Sequence, residues 1–103
     1  MANSFELEII SPSEVFYRGE VEEIIVKTPE GYEGFMAKHS WTCKLLDVGK
    51  IKIRPIGTPE GQWVVASSAS GFIDVKDKVV IYVDAVEWDR GPERRRSRTI
   101  HQE

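Results

Sequence analysis

The run Val21 to His39, VEEIIVKTPEGYEGFMAKH, constrains the fold more than any other stretch, because its hydrophobic alternation slips phase partway. Side chains on a strand alternate with period two, so Val21, Ile24 and Val26 share one face only if Glu22 and Glu23 together oppose a single partner residue. That is the signature of a β-bulge, a device that re-aims the strand beyond it. Next come Thr28-Pro29-Glu30-Gly31, with proline and glycine where a turn needs a fixed φ and then a positive one, and Gly34 is read as closing the excursion. The pattern predicts an acidic loop with Glu30, Tyr32 and Glu33 exposed at its tip, leading to His39. It points to a docking surface rather than a catalytic centre.

A chain of 103 residues makes one domain, and burying roughly 60 to 65% of its unfolded surface gives it a two-layer core without metal or disulfides. One cysteine excludes an intramolecular disulfide, and a reduced setting is the default expectation. The N-terminus MANSFELEIIS has no basic segment before an apolar stretch, and no run approaches the roughly 18 to 20 apolar residues that cross a bilayer. The expectation is a protein that does not insert into a membrane but can sit beside a membrane complex. Residues 1–89 carry 9 Lys/Arg against 15 Asp/Glu, whereas residues 90–103 carry 5 Arg against 2 Glu. An acidic body argues against nucleic-acid binding, which needs a clustered cationic face, and favours a basic protein partner.

Strand patterns dominate. Phe5, Leu7 and Ile9 alternate with Glu6 and Glu8 before Ser11-Pro12-Ser13 breaks the run. Val15 to Tyr17 reads as a short continuation and Gly19 as a turn. Cys43 and Leu45, then Ile51 and Ile53 among lysines, mark two more strands. The cluster Gly57 to Gly61 joins the latter to Trp63–Ser67 as a hairpin; Phe72–Lys76 follows, and Val79–Asp84 reads as the last strand. Phe5, Trp63 and Phe72 alternate with polar residues as core positions do. Short strands at this spacing predict an all-β fold, an antiparallel sandwich or barrel of about ten strands. The domain is expected over 1–88, with 89–103 a basic tail, disordered or weakly helical until bound, since its one apolar anchor is Ile100.

Catalytic chemistry is not visible. His39 and Cys43 invite a nucleophile-and-base reading, but four residues of extended chain span about 13 Å, and no orienting group accompanies them. A buried thiol and a surface histidine are the expectation. Two histidines and one cysteine give no metal-ligand spacing, and no glycine-rich phosphate loop precedes a helix, so no catalytic, cofactor or metal site is assigned. Arg94, Arg95, Arg96 and Arg98 read as a solvated tail. Trp41 and Trp88 fall where the chain turns or ends, as interface anchors or as partial core.

These residues together resemble the epsilon subunit of bacterial and chloroplast F-type ATP synthases, the delta subunit of the mitochondrial enzyme. The similarity runs through Phe5-x-Leu7-x-Ile9-Ile10-Ser11-Pro12, Phe16-Tyr17-x-Gly19-x-Val21-x-x-Ile24-x-Val26-x-Thr28, Glu30-Gly31-x-x-Gly34 with His39, Gly49-x-Ile51-x-Ile53, Ser70-Gly71-Phe72-x-x-Val75 and Val83-Asp84-Ala85-x-Glu87. Each piece is weak alone, and their order without gaps is fairly specific.

The resemblance implies a ten-stranded sandwich at the foot of a rotor, gripping the gamma subunit with one sheet and resting on the c-ring. It implies a non-catalytic subunit for proton-coupled ATP synthesis, peripheral on the cytoplasmic face of the bacterial inner membrane. Glu30, Gly31, Tyr32, Glu33, Gly34 and His39 match the part that faces the c-ring, whose loops in the family are basic. Phe16, Tyr17 and Trp41 are the candidates for the gamma side. Two departures stand out: Ala37-Lys38 replaces the usual Pro-Gly, and Trp41-Thr42-Cys43 the usual Pro-Leu-Leu, so the turn around His39 is expected to differ. The family's C-terminal helical pair, which inhibits ATP hydrolysis in many members, is expected to be missing. The rival expectation is a free-standing sandwich that binds a ligand or protein, which would expose several aromatics on one sheet face around a groove.

Overall fold

The fold rests on a strand too long to belong to one layer. In the computed structural model, which describes residues 3–59 and 61–89, nine strands run β1 Phe5–Ser11, β2 Glu14–Thr28, β3 Gly31–Met36, β4 Thr42–Leu46, β5 Gly49–Pro55, β6 Val64–Ser68, β7 Gly71–Val75, β8 Lys78–Val83 and β9 Val86–Trp88. They form one continuous sheet in the order β4-β7-β8-β1-β2-β5-β6-β9, with β3 also on β2. The expected tail beyond Asp89 lies outside the described residues.

The first half of β2 pairs antiparallel with β1, and Val21 lies opposite both Phe5 of β1 and Pro55 of β5. Beyond that point β1 has ended, and β3 takes the vacated side from Glu23↔Met36 to Thr28↔Gly31. The sheet thereby folds over itself into two facing layers. The expected bulge sits at this crossing: Val21 pairs with Pro55 and Glu23 with Arg54, leaving Glu22 extra. Arg54 is the single partner residue, its guanidinium pairing with Glu22 and lying 3.6 Å from Glu23. The added residue keeps Val21, Ile24 and Val26 all fully buried.

Both layers contribute to one core. Leu7, Ile9, Ile73, Val75, Ile81 and Val83 come from one layer, and Ile24, Val26, Phe35, Ile51 and Ile53 from the other. Each such side chain stabilises the fold by about 1.5–3 kcal/mol on full burial. The wet face of β1 also holds a buried group, Glu8, which accepts a hydrogen bond from Arg18 at 2.6 Å and lies 3.3 Å from Lys78. The Arg18 hydrogen bond outweighs burial and holds the Glu8 carboxyl below its ordinary range.

The all-β sandwich expected from the sequence is the observed architecture, with several local differences. One pair is parallel, β1 with β8. Gly19 is not a turn but sits mid-strand opposite Leu7, and the Tyr17 hydroxyl lies 3.2 Å from where a Cβ at Gly19 would stand. The glycine leaves room for that ring. Gly31–Met36 is a strand rather than a loop, so Gly34 closes nothing. The last strand among the described residues is Val86–Trp88, three residues too short to show a period. Phe72 is not core: Ile73 and Val75 take the inner phase of β7, and Phe72 is 40% exposed. Cys43, expected to be buried, is exposed for the same reason, since Leu46 holds the inner phase of β4.

Replacing Arg54 by Met removes the cation that compensates two half-buried carboxylates at the bulge. We expect it to destabilise the domain by about 1–3 kcal/mol, read by urea unfolding, and Glu22→Gln in the same background to recover part of the loss. No change in the Arg54→Met midpoint would show that the pair does not hold the crossing.

Candidate functional site

Pro29 and Glu30 form the tip of the β2–β3 hairpin, because Thr28 and Gly31 are already paired across it. Thr28 fixes the tip from inside: its buried hydroxyl donates to Gly31 O at 2.8 Å and accepts from Glu30 N at 3.2 Å. Gly31 has φ +120°, which only glycine adopts without strain. Glu30 therefore projects from a stiff two-residue turn and is exposed.

Tyr32 and Glu33 leave the tip because β3 is a strand. Alternation sends them to opposite sides. Tyr32, 54% exposed, lies along the outer face of its layer, its ring 5.7 Å from Lys27 Nζ and its hydroxyl accepting from Lys50 N at 3.4 Å. Glu33 shares the phase of buried Phe35 and turns to the rim between the layers, where Lys44 Nζ of β4 donates to both its carboxylate oxygens at 2.8 and 3.1 Å. The expectation that Glu33 is presented at the tip is corrected by this pairing.

His39 is not beside Glu30. It follows the far end of β3, a six-residue strand of about 20 Å. Its ring packs 4.5 Å from the Phe35 ring, with Nδ1 3.1 Å from Ser40 O. Lys38, in place of the glycine usual in the resemblance, adopts φ 65°. Trp41, 65% exposed, lines the same hollow as His39, together with Met36 and Phe5. Structure thus groups His39 with Trp41 and separates both from Glu30. Among the described residues, no three of His, Cys, Asp and Glu come together as metal ligands would.

Phe16 and Tyr17 meet Trp88 of β9, at ring-centroid distances of 4.6 and 5.9 Å. Phe16 is the extra residue of a second bulge, where Ile9 pairs with Tyr17 and Ile10 with Val15. Burial raises the Tyr17 phenol above its ordinary value. These aromatics close one rim of the sandwich more than they present a surface.

One apolar surface among the described residues is absent from the sequence expectations. On the outer face of β4, β7 and β8, Leu45 opposes Phe72 and Phe72 opposes Tyr82. The two rings stack at 4.7 Å and 24°, and with Ile10, Pro12 and Pro29 they line a groove of about 570 Å³. The signal was present in Gly71-Phe72-Ile73: an apolar residue in each phase of a strand means that one of them faces out. Gly71 lets the strands close up, since a Cβ there would stand 1.8 Å from Tyr82 O.

The ATP synthase delta/epsilon chain β-sandwich domain matches residues 4–89. The chain is also 37% identical over 94 residues to the ATP synthase epsilon chain of Caldicellulosiruptor bescii, covering 90% of this chain and 66% of that one. The chain belongs to the ATP synthase delta/epsilon family. The epsilon chain of Alkaliphilus metalliredigens is 40% identical over 89 residues, with 85% and 63% of the two chains covered, and the chloroplastic epsilon chain of Mesostigma viride 35% identical over 80 residues, with 78% and 58% covered. The chain spans 58–66% of the length of these three curated relatives. A chain in the Euglena gracilis mitochondrial ATP synthase OSCP/F1/c-ring structure shares its fold, with TM-score 0.77 at 20% identity over 94% of this chain and 62% of that one.

Left-handed backbone at a lysine costs about 1–2 kcal/mol, partly offset by the freedom glycine loses on folding. Lys38→Gly is expected to stabilise the domain by about 0.5–1 kcal/mol and Lys38→Val to destabilise it, both read by thermal unfolding. Equal stability of all three chains would mean that the turn relaxes without strain.

Proposed function

We propose that the chain is a central-stalk subunit of an F-type ATP synthase, joining the gamma subunit to the c-ring during proton-coupled ATP synthesis. It serves as a non-catalytic, peripheral part on the cytoplasmic face of the bacterial inner membrane. The observation that carries this reading is the contiguity of two unlike surfaces on one family sandwich. An uncovered apolar face lies against a stiff acidic tip, and Pro29 and Leu45 border both the groove and the hollow at the tip.

The apolar face suits gamma. Leu45, Phe72 and Tyr82 form a central aromatic-aliphatic anchor of the kind that dominates binding energy, and Trp41, exposed just before edge strand β4, is a further candidate for the gamma side. Phe16 and Tyr17, held against Trp88, offer gamma a rim at most. The tip suits the c-ring. Glu30 supplies an exposed carboxylate for a basic loop and Tyr32 an exposed ring beside it, while Gly31 and Gly34 provide backbone rather than contacts. His39 belongs with Trp41. A body that carries torque with little twist suits this role, and a two-layer sandwich with a two-residue tip is of that kind.

The stacked Phe72 and Tyr82 around a groove also fit a free-standing module that takes a small apolar ligand. One experiment separates the two: capture of gamma from its own source by the chain and by the Phe72→Ala/Tyr82→Ala variant. Gamma is expected to bind, with affinity at least about tenfold weaker for the variant and unfolding little changed, because both rings are half exposed. Equal capture by both chains would remove gamma from this face, and no capture by either would favour the ligand-binding module.

A further inference from the structure

Three charges lie at or beside the hairpin tip, and they are not equivalent. Glu30 stands on the turn, Glu33 points to the rim, and Lys44 reaches across from β4, lining with Glu30, Thr28, Pro29 and Leu45 a hollow of about 270 Å³. Lys44 donates to both oxygens of Glu33, at 2.8 and 3.1 Å, while each side chain remains about one-third exposed, 35% and 33%. The hydrogen bonds to Glu33 raise the Lys44 ammonium above its ordinary value, with Glu30 adding to this at longer range.

We propose that Lys44 is a specificity-determining residue of the docking tip: it withdraws Glu33 from the surface that a cationic partner meets and leaves Glu30, among the described residues, as the tip's one carboxylate outside an ion pair. This inference rests on the reading of the tip as a docking surface and says how that surface is tuned. With Lys44 present the three groups sum to one negative charge, concentrated at Glu30. Without it they sum to two, and Glu33, no longer held at the rim by two hydrogen bonds, swings toward solvent. Lys44 itself makes no contact with the partner. It is a positioning residue that acts through Glu33.

A rim charge of this kind changes association rate and salt dependence more than it changes fold. That separates the proposal from the bland alternative, in which the Lys44–Glu33 pair only ties β3 to β4. An exposed pair is worth about 0.2–1 kcal/mol, or about one- to fivefold in rate or affinity. If the pair were structural alone, Lys44→Met would lower the melting temperature and slow docking.

The experiment measures association of the full chain with the detergent-solubilised c-ring of its own synthase at several salt concentrations. Lys44→Met is expected to associate about two- to fivefold faster than the parent at low salt, with a steeper salt dependence. Lys44→Arg is expected to match the parent, and the double variant Glu33→Gln/Lys44→Met to return to the parent rate, because its tip again carries Glu30 alone. A Lys44→Met rate at or below the parent's, or a double variant as fast as Lys44→Met, would overturn the proposal. Failure of the parent itself to bind the ring would overturn the docking reading and the inference with it, a result distinct from the other two.

Discussion

A strand that keeps one set of side chains in the core while moving from one layer to the next turns the corner by a bulge or a bend, and β2 does so by gaining Glu22. The consequence is a pair of adjacent glutamates at a crossing that both layers share. Arg54 faces both of them from β5, and its side chain is only 15% exposed. Everything downstream inherits this arrangement. The bulge sets the direction in which Ile24 to Thr28 leaves the crossing, β3 returns along it, and Glu30 is carried at the far end of that hairpin. A glutamate pair that looks like surface charge is instead the hinge on which the two layers are folded.

Among the described residues, side chains help to close each of the two open sides of the sandwich, beside one backbone bond from Asp47 N to Lys27 O at 2.9 Å. Lys44 and Glu33 bridge β4 and β3 on one side, and Phe16 and Tyr17 bridge to Trp88 on the other. Aromatic pairs contribute about 0.5–1.5 kcal/mol beyond their buried area, whereas an exposed ion pair contributes less. The aromatic rim is therefore the structural one. The ionic rim, next to the tip, is the side where charge is free to serve recognition.

The bulge was legible because the phase slip at Glu22-Glu23 has no other solution once Val21, Ile24 and Val26 are all to be buried. The β1 alternation and the hairpin tip were legible for similar reasons, since Pro29 fixes its φ and Gly31 permits a positive one. The surface of the site was not. Tyr32 and Glu33 read as loop residues because glycines at 31 and 34 look like punctuation, although Phe35 in phase with Glu33 already implied a strand. Phe72 read as core because an aromatic between Gly71 and Ile73 gives no clue to which phase is inside. That choice is made by partners elsewhere in the chain: Phe72 stacks on Tyr82 only because β7 and β8 pair with Gly71 opposite Val83.

On the proposed reading, the stiff tip and the turn at His39 serve different partners, since β3 sets them about 20 Å apart and His39 lines a hollow with Trp41 rather than with Glu30. Site-specific cross-linking in the assembled synthase tests this most directly, with Glu30→Cys and His39→Cys introduced separately into a Cys43→Ser background. The expected result is that Glu30→Cys cross-links to the c-ring and His39→Cys does not. A ring cross-link from His39→Cys, with none from Glu30→Cys, would contradict it.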